Sequence, residues 1–254
     1  QNRENARLVN RALETVKVCD PAIGSGAFPM GVLNVLFDCR HLLYGFIGEN
    51  KPYCGLILIN NPAEDLNGPV IKLTDVRAVA SKSVITTYAH EEANEFCSWS
   101  FAPGCMHWAY ATVEIKGGYF EKTSEDAYFG NENCIFLYAC KGLIEGAEVV
   151  SRKGACIEVS RSDLSGEAFK IKDCTVTSNY VGDDHWKGTA VAASYNGAVE
   201  IEGGTYTGHY ALATYVESYN PDGRITCTGA TLRGSEADVS NDGDGFISVD
   251  GIDY

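Results

Sequence analysis

From about residue 55 onward, apolar and polar residues alternate over short stretches, and each stretch breaks at a small or turn-forming residue. The unit is apolar-x-apolar-x-bend-small-x-apolar. It appears as Val113-Glu114-Ile115-Lys116-Gly117-Gly118-Tyr119-Phe120 and again as Phe169-Lys170-Ile171-Lys172-Asp173-Cys174-Thr175-Val176. It returns as Val199-Glu200-Ile201-Glu202-Gly203-Gly204-Thr205-Tyr206 and as Ile225-Thr226-Cys227-Thr228-Gly229-Ala230-Thr231-Leu232. Weaker copies begin at Gly142, Ile157 and Ile247, and an earlier one runs from Ile71 to Val76. Apolar residues at i and i+2 place both side chains on one face of a strand. Glycine at the bend admits backbone angles closed to other residues, so a second strand can leave in a new direction.

The first 50 residues carry a different pattern. Ala6, Leu8, Val9, Ala12 and Leu13 recur at helical spacing and predict a helix over 5–15. Val16–Asp20 reads as a short strand, the Gly-rich run Asp20–Phe28 as a loop, and Met30–Phe37, extending toward residue 44, as a second helix.

Strand-bend-strand units recurring every 22–30 residues are what a solenoid needs, because each coil stacks its apolar interior on the next. Over about residues 55–254 the chain resembles right-handed parallel β-helix proteins of the pectate-lyase-like class, which include phage tailspikes and secreted or surface proteins. The expected fold is therefore all-β: a right-handed parallel β-helix solenoid over 51–254 with a short helical N-terminal cap in 1–50. A β-sandwich is the alternative, but it calls for strands every 8–12 residues joined by hairpins. The resemblance implies a surface, secreted or virion-associated protein that binds glycans or acts as a structural spike, with polysaccharide cleavage open. It also implies a homotrimer, since many such spikes are trimeric.

A second resemblance sits in the N-terminal segment. Val18-Cys19-Asp20-Pro21-Ala22-Ile23-Gly24-Ser25-Gly26-Ala27-Phe28 is similar to the S-adenosylmethionine-binding motif of DNA adenine methyltransferases. On that resemblance Asp20, Pro21, Gly24, Gly26 and Phe28 would surround the cofactor, and the chain would be a methyltransferase fragment fused to a β-helix. The family's catalytic Asn/Asp-Pro-Pro-Tyr string is missing; the nearest sequence, Asn60-Asn61-Pro62-Ala63, lacks the second proline and the aromatic.

Charge sharpens the division. The chain has 20 Lys and Arg against 34 Asp and Glu, a net charge of −14. Residues 1–50 carry five of each sign, so the whole excess lies beyond them. Such a surface argues against nucleic acid as a partner, which needs clustered positive charge. No apolar run is long enough to cross a membrane as a helix. No signal peptide is visible at Gln1-Asn2-Arg3-Glu4, and one removed before Gln1 would leave no trace; an extracellular, cell-surface or virion setting is expected. The ten cysteines contain no Cys-x-x-Cys pair and read mostly as small buried apolar residues.

Three strings carry candidate chemistry. Asp183-Asp184-His185-Trp186 lies in a long excursion between repeats, where carboxylates and an indole suit calcium or a sugar ring; the plainer reading is a solvated loop. Glu91 and Glu92 with Trp99 and Trp108 form a second carbohydrate-binding candidate, because a sugar's C–H face packs on a ring while its hydroxyls meet carboxylates. The alternative places those aromatics in the core of an early coil. Ser240-Asn241-Asp242-Gly243-Asp244-Gly245 partly matches a calcium loop through Asp242 and Asp244, but Gly251 stands where a bidentate acid belongs, so an ordinary turn is favoured. Arg161 near Asp163 and Lys172 near Asp173 are the nearest base-and-acid pairs, and the catalytic residues, if any, stay unassigned.

Overall fold

The computed structural model describes residues 2–14, 39, 57–58, 68–80, 83–86, 110–123, 133–162, 166–180, 188–215, 223–241 and 245–254. The helical period at the N-terminus gives α1 (Asn2–Glu14), with Ala6 buried and Leu8 and Val9 exposed. Cys39, inside the second expected helix, is helical and exposed. The expected strand at 16–20 lies outside the described residues.

The rest of the described residues are strand and corner. The chain runs through β1 (Ile57–Leu58), β2 (Val70–Thr74), β3 (Arg77–Ala80) and β4 (Ile85–Thr86). The next circuits are β5 (Thr112–Lys116), β6 (Tyr119–Lys122) and β7 (Ile135–Tyr138), then β8 (Lys141–Glu145), β9 (Glu148–Ser151) and β10 (Ile157–Ser160). There follow β11 (Phe169–Lys172), β12 (Thr175–Ser178) and β13 (Thr189–Ser194), then β14 (Ala198–Glu202) and β15 (Thr205–Tyr215). The last are β16 (Arg224–Thr228), β17 (Thr231–Asn241), β18 (Phe246–Val249) and β19 (Ile252–Asp253).

From β1 to β12 each strand pairs in parallel with the strand three places on, which produces three columns. The first is β2-β5-β8-β11-β14-β16-β18. The second runs β3-β6-β9-β12 and the third β1-β4-β7-β10-β13; β15 pairs with both β12 and β13 and so joins the two into one sheet, with β17 beyond it. All these pairings are parallel except β18 with β19, which folds back antiparallel at the C-terminal end. Among the described residues the fold is all-β apart from α1 and the helical Cys39.

Register turns the sequence alternation into stacked rows. Leu73, Ile115, Ile144, Ile171, Ile201, Cys227 and Val249 line up across the first column. Ala78, Phe120 and Val149, then Val176 and Tyr206, do the same in the second, and Ile135, Ile157, Val191 and Leu212 in the third. These rows form one core, and most of their members are fully buried. Each fully buried aliphatic or aromatic side chain contributes about 1.5–3 kcal/mol.

The outward rows of the first column alternate in sign. Lys72 meets Glu114 at 2.9 Å, Lys170 meets Glu200 at 3.9 Å and Lys172 meets Glu202 at 3.4 Å. Lys172 therefore answers a carboxylate on the next coil rather than its sequence neighbour Asp173.

The corner between the first and second columns is two residues long in every circuit. Its first residue is left-handed each time: Asp75, Gly117, Gly146, Asp173, Gly203 and Gly229, with φ between 50° and 65°; Asp250 (φ 49°) takes the same conformation in the turn from β18 back into β19. Only glycine and, among L-residues, Asn or Asp take that conformation readily, so the corner explains both the Gly-Gly and the Asp-Cys forms of the repeat. The corners stack through backbone bonds such as Gly117 N–H to Glu145 O (2.8 Å) and Gly203 N–H to Thr228 O (2.9 Å). Among the described residues no helix is long and apolar enough to cross a membrane.

Candidate functional site

The third column is where the alternation disappears. Every residue of β13, Thr-Ala-Val-Ala-Ala-Ser, is buried, so both faces of that strand are covered. Its outward side is polar toward the corner. Glu158 of β10 accepts hydrogen bonds from Ser194 Oγ (2.6 Å) and Ser160 Oγ (3.4 Å) on one carboxylate oxygen, and from Asn133 Nδ2 on the other. Ser160 and Ser194 are paired across β10 and β13 with their hydroxyls in contact, so the Ser160 hydrogen goes either to Ser194 Oγ or to the longer Glu158 bond. Asn133 is oriented in turn by the Ala155 N–H, which donates to its Oδ1 at 2.9 Å. A carboxyl group held by side chains from successive coils ties those coils together and stiffens this side of the sheet. Phe136 and Tyr138 lie on the neighbouring strand with ring centroids 6.2 Å apart.

Past this cluster the chain turns into the first column through Arg161 on one coil and Tyr195-Asn196 on the next, all left-handed. Ser162 then bonds to Ala198, its Oγ accepting the Ala198 N–H at 2.5 Å. The turn leaves a groove of about 490 Å³ lined by Ser162, Gly166, Glu167, Ala168, Asn196, Ala198 and Arg224. Its size falls within the range of small-molecule sites. The two alanines keep side-chain bulk off its lining, while a guanidinium, a carboxylate and a carboxamide stand in it as three planar polar groups. Glu167 is held by Lys141 at 3.7 Å with both side chains well exposed, a contact weak enough to yield to a ligand. Arg224 is exposed and has no ion pair among the described residues. Planar polar groups of this kind bind adjacent hydroxyls, a carboxylate accepting two and a guanidinium or amide donating to two.

A second exposed cluster sits on the second column. The Arg77 guanidinium lies over the Tyr119 ring, 4.5 Å from its centroid, and Tyr119 donates its hydroxyl to Glu121 at 2.8 Å. Burial raises the Tyr119 hydroxyl above its usual range; the Glu121 bond and the charges of Glu121 and Glu148 add to that, while Arg77 opposes it. Its ring is occupied by Arg77 and its hydroxyl by Glu121, so this cluster is already satisfied internally.

The site residues expected from sequence fall outside the described residues: Asp183, Asp184, His185 and Trp186; Glu91, Glu92, Trp99 and Trp108; Asp20, Pro21, Gly24, Gly26 and Phe28; Asp242 and Asp244. Asn241, in the calcium-like string, has a structural task instead. Its Oδ1 accepts Thr214 Oγ1 at 2.6 Å, and its Nδ2 donates to Gly245 O (2.7 Å) and Tyr254 O (2.9 Å), tying down the last coil. Among the described residues no group of three or more His, Cys, Asp or Glu side chains is placed to hold a metal.

The groove and the Glu158 cluster were not anticipated. Their signal was available, since Ile157-Glu158-Val159-Ser160-Arg161-Ser162 and Val191-Ala192-Ala193-Ser194-Tyr195-Asn196 align strand end to strand end, with polar residues at matching places. Compared with protein-family models, with curated proteins and with solved structures, the chain matches none.

Proposed function

We propose that the three columns form a right-handed parallel β-helix of the pectate-lyase-like class, and that the protein is a surface or secreted glycan-binding module. The observation that carries this reading is the groove in which Glu167, Asn196 and Arg224 converge from three consecutive coils over Ala168 and Ala198. Two adjacent sugar hydroxyls would bridge Glu167 and Arg224, a third would meet Asn196, and a C–H face would rest on the alanines. Three-fold strand periodicity with parallel pairing supports the solenoid part of the proposal.

Binding is favoured over hydrolysis by a carboxyl pair. The usual hydrolysis of a glycosidic bond uses two carboxyl groups flanking it, and among the described residues Glu167 is the one carboxylate lining the groove. Calorimetric titration against a panel of neutral and acidic polysaccharides tests the proposal. The expected result is saturable binding that falls at least tenfold in Arg224→Ala and in Asn196→Ala, with no release of reducing ends. Absence of saturable binding across the panel, or binding indifferent to both substitutions, would refute it.

A further inference from the structure

Two buried cysteines hold equivalent places on consecutive coils. Cys134 sits at the corner before β7 and Cys156 at the corner before β10, and the strands that follow pair in register from Ile135 with Ile157. Backbone bonds join the two corners directly: Cys134 N–H donates to Ala155 O at 3.0 Å and Ile135 N–H to Cys156 O at 2.9 Å. Neighbouring strands stand about 4.8 Å apart, inside the roughly 4.4–6.8 Å between Cα atoms that a disulfide spans. Both side chains are fully buried in the same apolar core, and both are free thiols.

A cation is buried with them. Lys122, the last residue of β6, is fully buried, and its Nζ donates to Lys153 O at 2.9 Å, an oxygen that also accepts Ser151 Oγ at 2.8 Å. The positive charge of Lys122 acts on both Cys134 and Cys156, and its backbone also hydrogen-bonds Cys134. Burial outweighs that attraction and raises both thiols, so exchange takes place while the chain is open rather than in the closed core.

We propose that Cys134 and Cys156 are a modification site that closes a disulfide between consecutive coils. The oxidant is a small-molecule disulfide such as oxidised glutathione. One protein thiol loses its proton and attacks a glutathione sulfur, forming a mixed disulfide and expelling one glutathione thiolate. The second protein thiol loses its proton and attacks the protein sulfur of that mixed disulfide, expelling the other glutathione thiolate. The two released protons end on the two glutathione thiols, so two protein thiols are oxidised and one glutathione disulfide is reduced. The bond pins the turn from β7 to β10, including the segment that carries Lys153.

Because the folded thiols are buried, the test lets the full chain refold from guanidinium in glutathione buffers of graded oxidised-to-reduced ratio. Native protein is isolated, its free thiols are alkylated, and the digest is read by mass spectrometry. The expected result is a Cys134–Cys156 linked peptide that accumulates as the ratio rises, together with a thermal midpoint several degrees above that of the reduced protein. Recovery of both residues as separately alkylated thiols in the most oxidising buffer overturns the proposal, and so does preferential linkage of either to another cysteine. In Cys156→Ser the oxidation-dependent rise in midpoint should vanish; if it persists, the rise comes from elsewhere and the proposal fails.

Discussion

The glycines of the circuits do two different jobs, and alanine substitution separates them. Gly146 is the left-handed corner residue after β8, at φ 65°, and a Cβ there would meet nothing within 4 Å. Gly142 lies inside β8 at φ 139°, and a Cβ there would run into the Val113 carbonyl of the coil below, with the carbonyl carbon 2.8 Å away. For Gly146→Ala the cost is conformational alone, about 1–2 kcal/mol for placing an L-residue in the left-handed region. For Gly142→Ala a strained backbone of about 1–3 kcal/mol adds to an overpacking cost of about 1–3 kcal/mol, and the clashing group is main chain held in a ladder. The expected total is about 4 kcal/mol. Gly146→Asn should cost under about 0.5 kcal/mol, because asparagine visits that conformation and Asp already occupies the same corner at 75 and 173. Equilibrium urea denaturation followed by far-UV circular dichroism reads all three. Equal losses for Gly142→Ala and Gly146→Ala would refute the separation of steric from torsional cost. So would a Gly146→Asn variant as unstable as Gly146→Ala.

Three further outcomes follow from the core and the outer rows. The Tyr206 hydroxyl is buried with no hydrogen-bond partner among the described residues, so Tyr206→Phe should raise stability by about 1 kcal/mol, read as a higher urea midpoint; a loss would mean that the hydroxyl is satisfied after all. Lys170 and Glu200 are more than half exposed, so a double-mutant cycle on Lys170→Ala and Glu200→Ala should return a coupling under about 1 kcal/mol that shrinks with added salt. Burial pushes the Cys134 thiol from 9.0 up to about 12, with Lys122 pulling part of the way back. The folded state thus keeps a proton the unfolded chain has lost, and the resulting stability is intact below pH 9 and lost as pH rises toward 12, by up to about 1.4 kcal/mol per unit for this thiol. Reduced Cys134→Ala should show a shallower fall than the parent between pH 9 and 11 in urea titrations; an unchanged slope would count against the buried thiol as its source.

What could be read from the chain followed the water. The first column has one wet face, so Val113, Ile115, Phe169, Ile171, Val199 and Ile201 alternate with Glu and Lys and announce themselves. The third column has both faces covered, so Thr-Ala-Val-Ala-Ala-Ser at 189–194 shows no alternation, and Ile157 looked like the start of a new repeat when it opens the third strand of an existing circuit. The groove was harder still, since Glu167, Asn196 and Arg224 are separated by 29 and 28 residues and meet only through the stacking of coils. Local sequence holds no record of which coil-to-coil register the corners impose. The left-handed corner itself was legible, because Gly-Gly and Asp-Cys obey the same backbone constraint.

The corners between the first and second columns are always two residues long, whereas the links from the second column to the third vary widely. That link is 12 residues from β6 to β7, 5 from β9 to β10 and 10 from β12 to β13, and it vanishes in β15 and β17, where one strand runs through. The links from the third column back to the first vary too, with 2 residues between β7 and β8 and 8 between β10 and β11, so length is taken up on the third column's side of the molecule without disturbing the rungs. For an engineer this side is the place to graft foreign peptides, each addressable by coil. For evolution it is the part of the surface free to change its recognition while the framework is inherited intact.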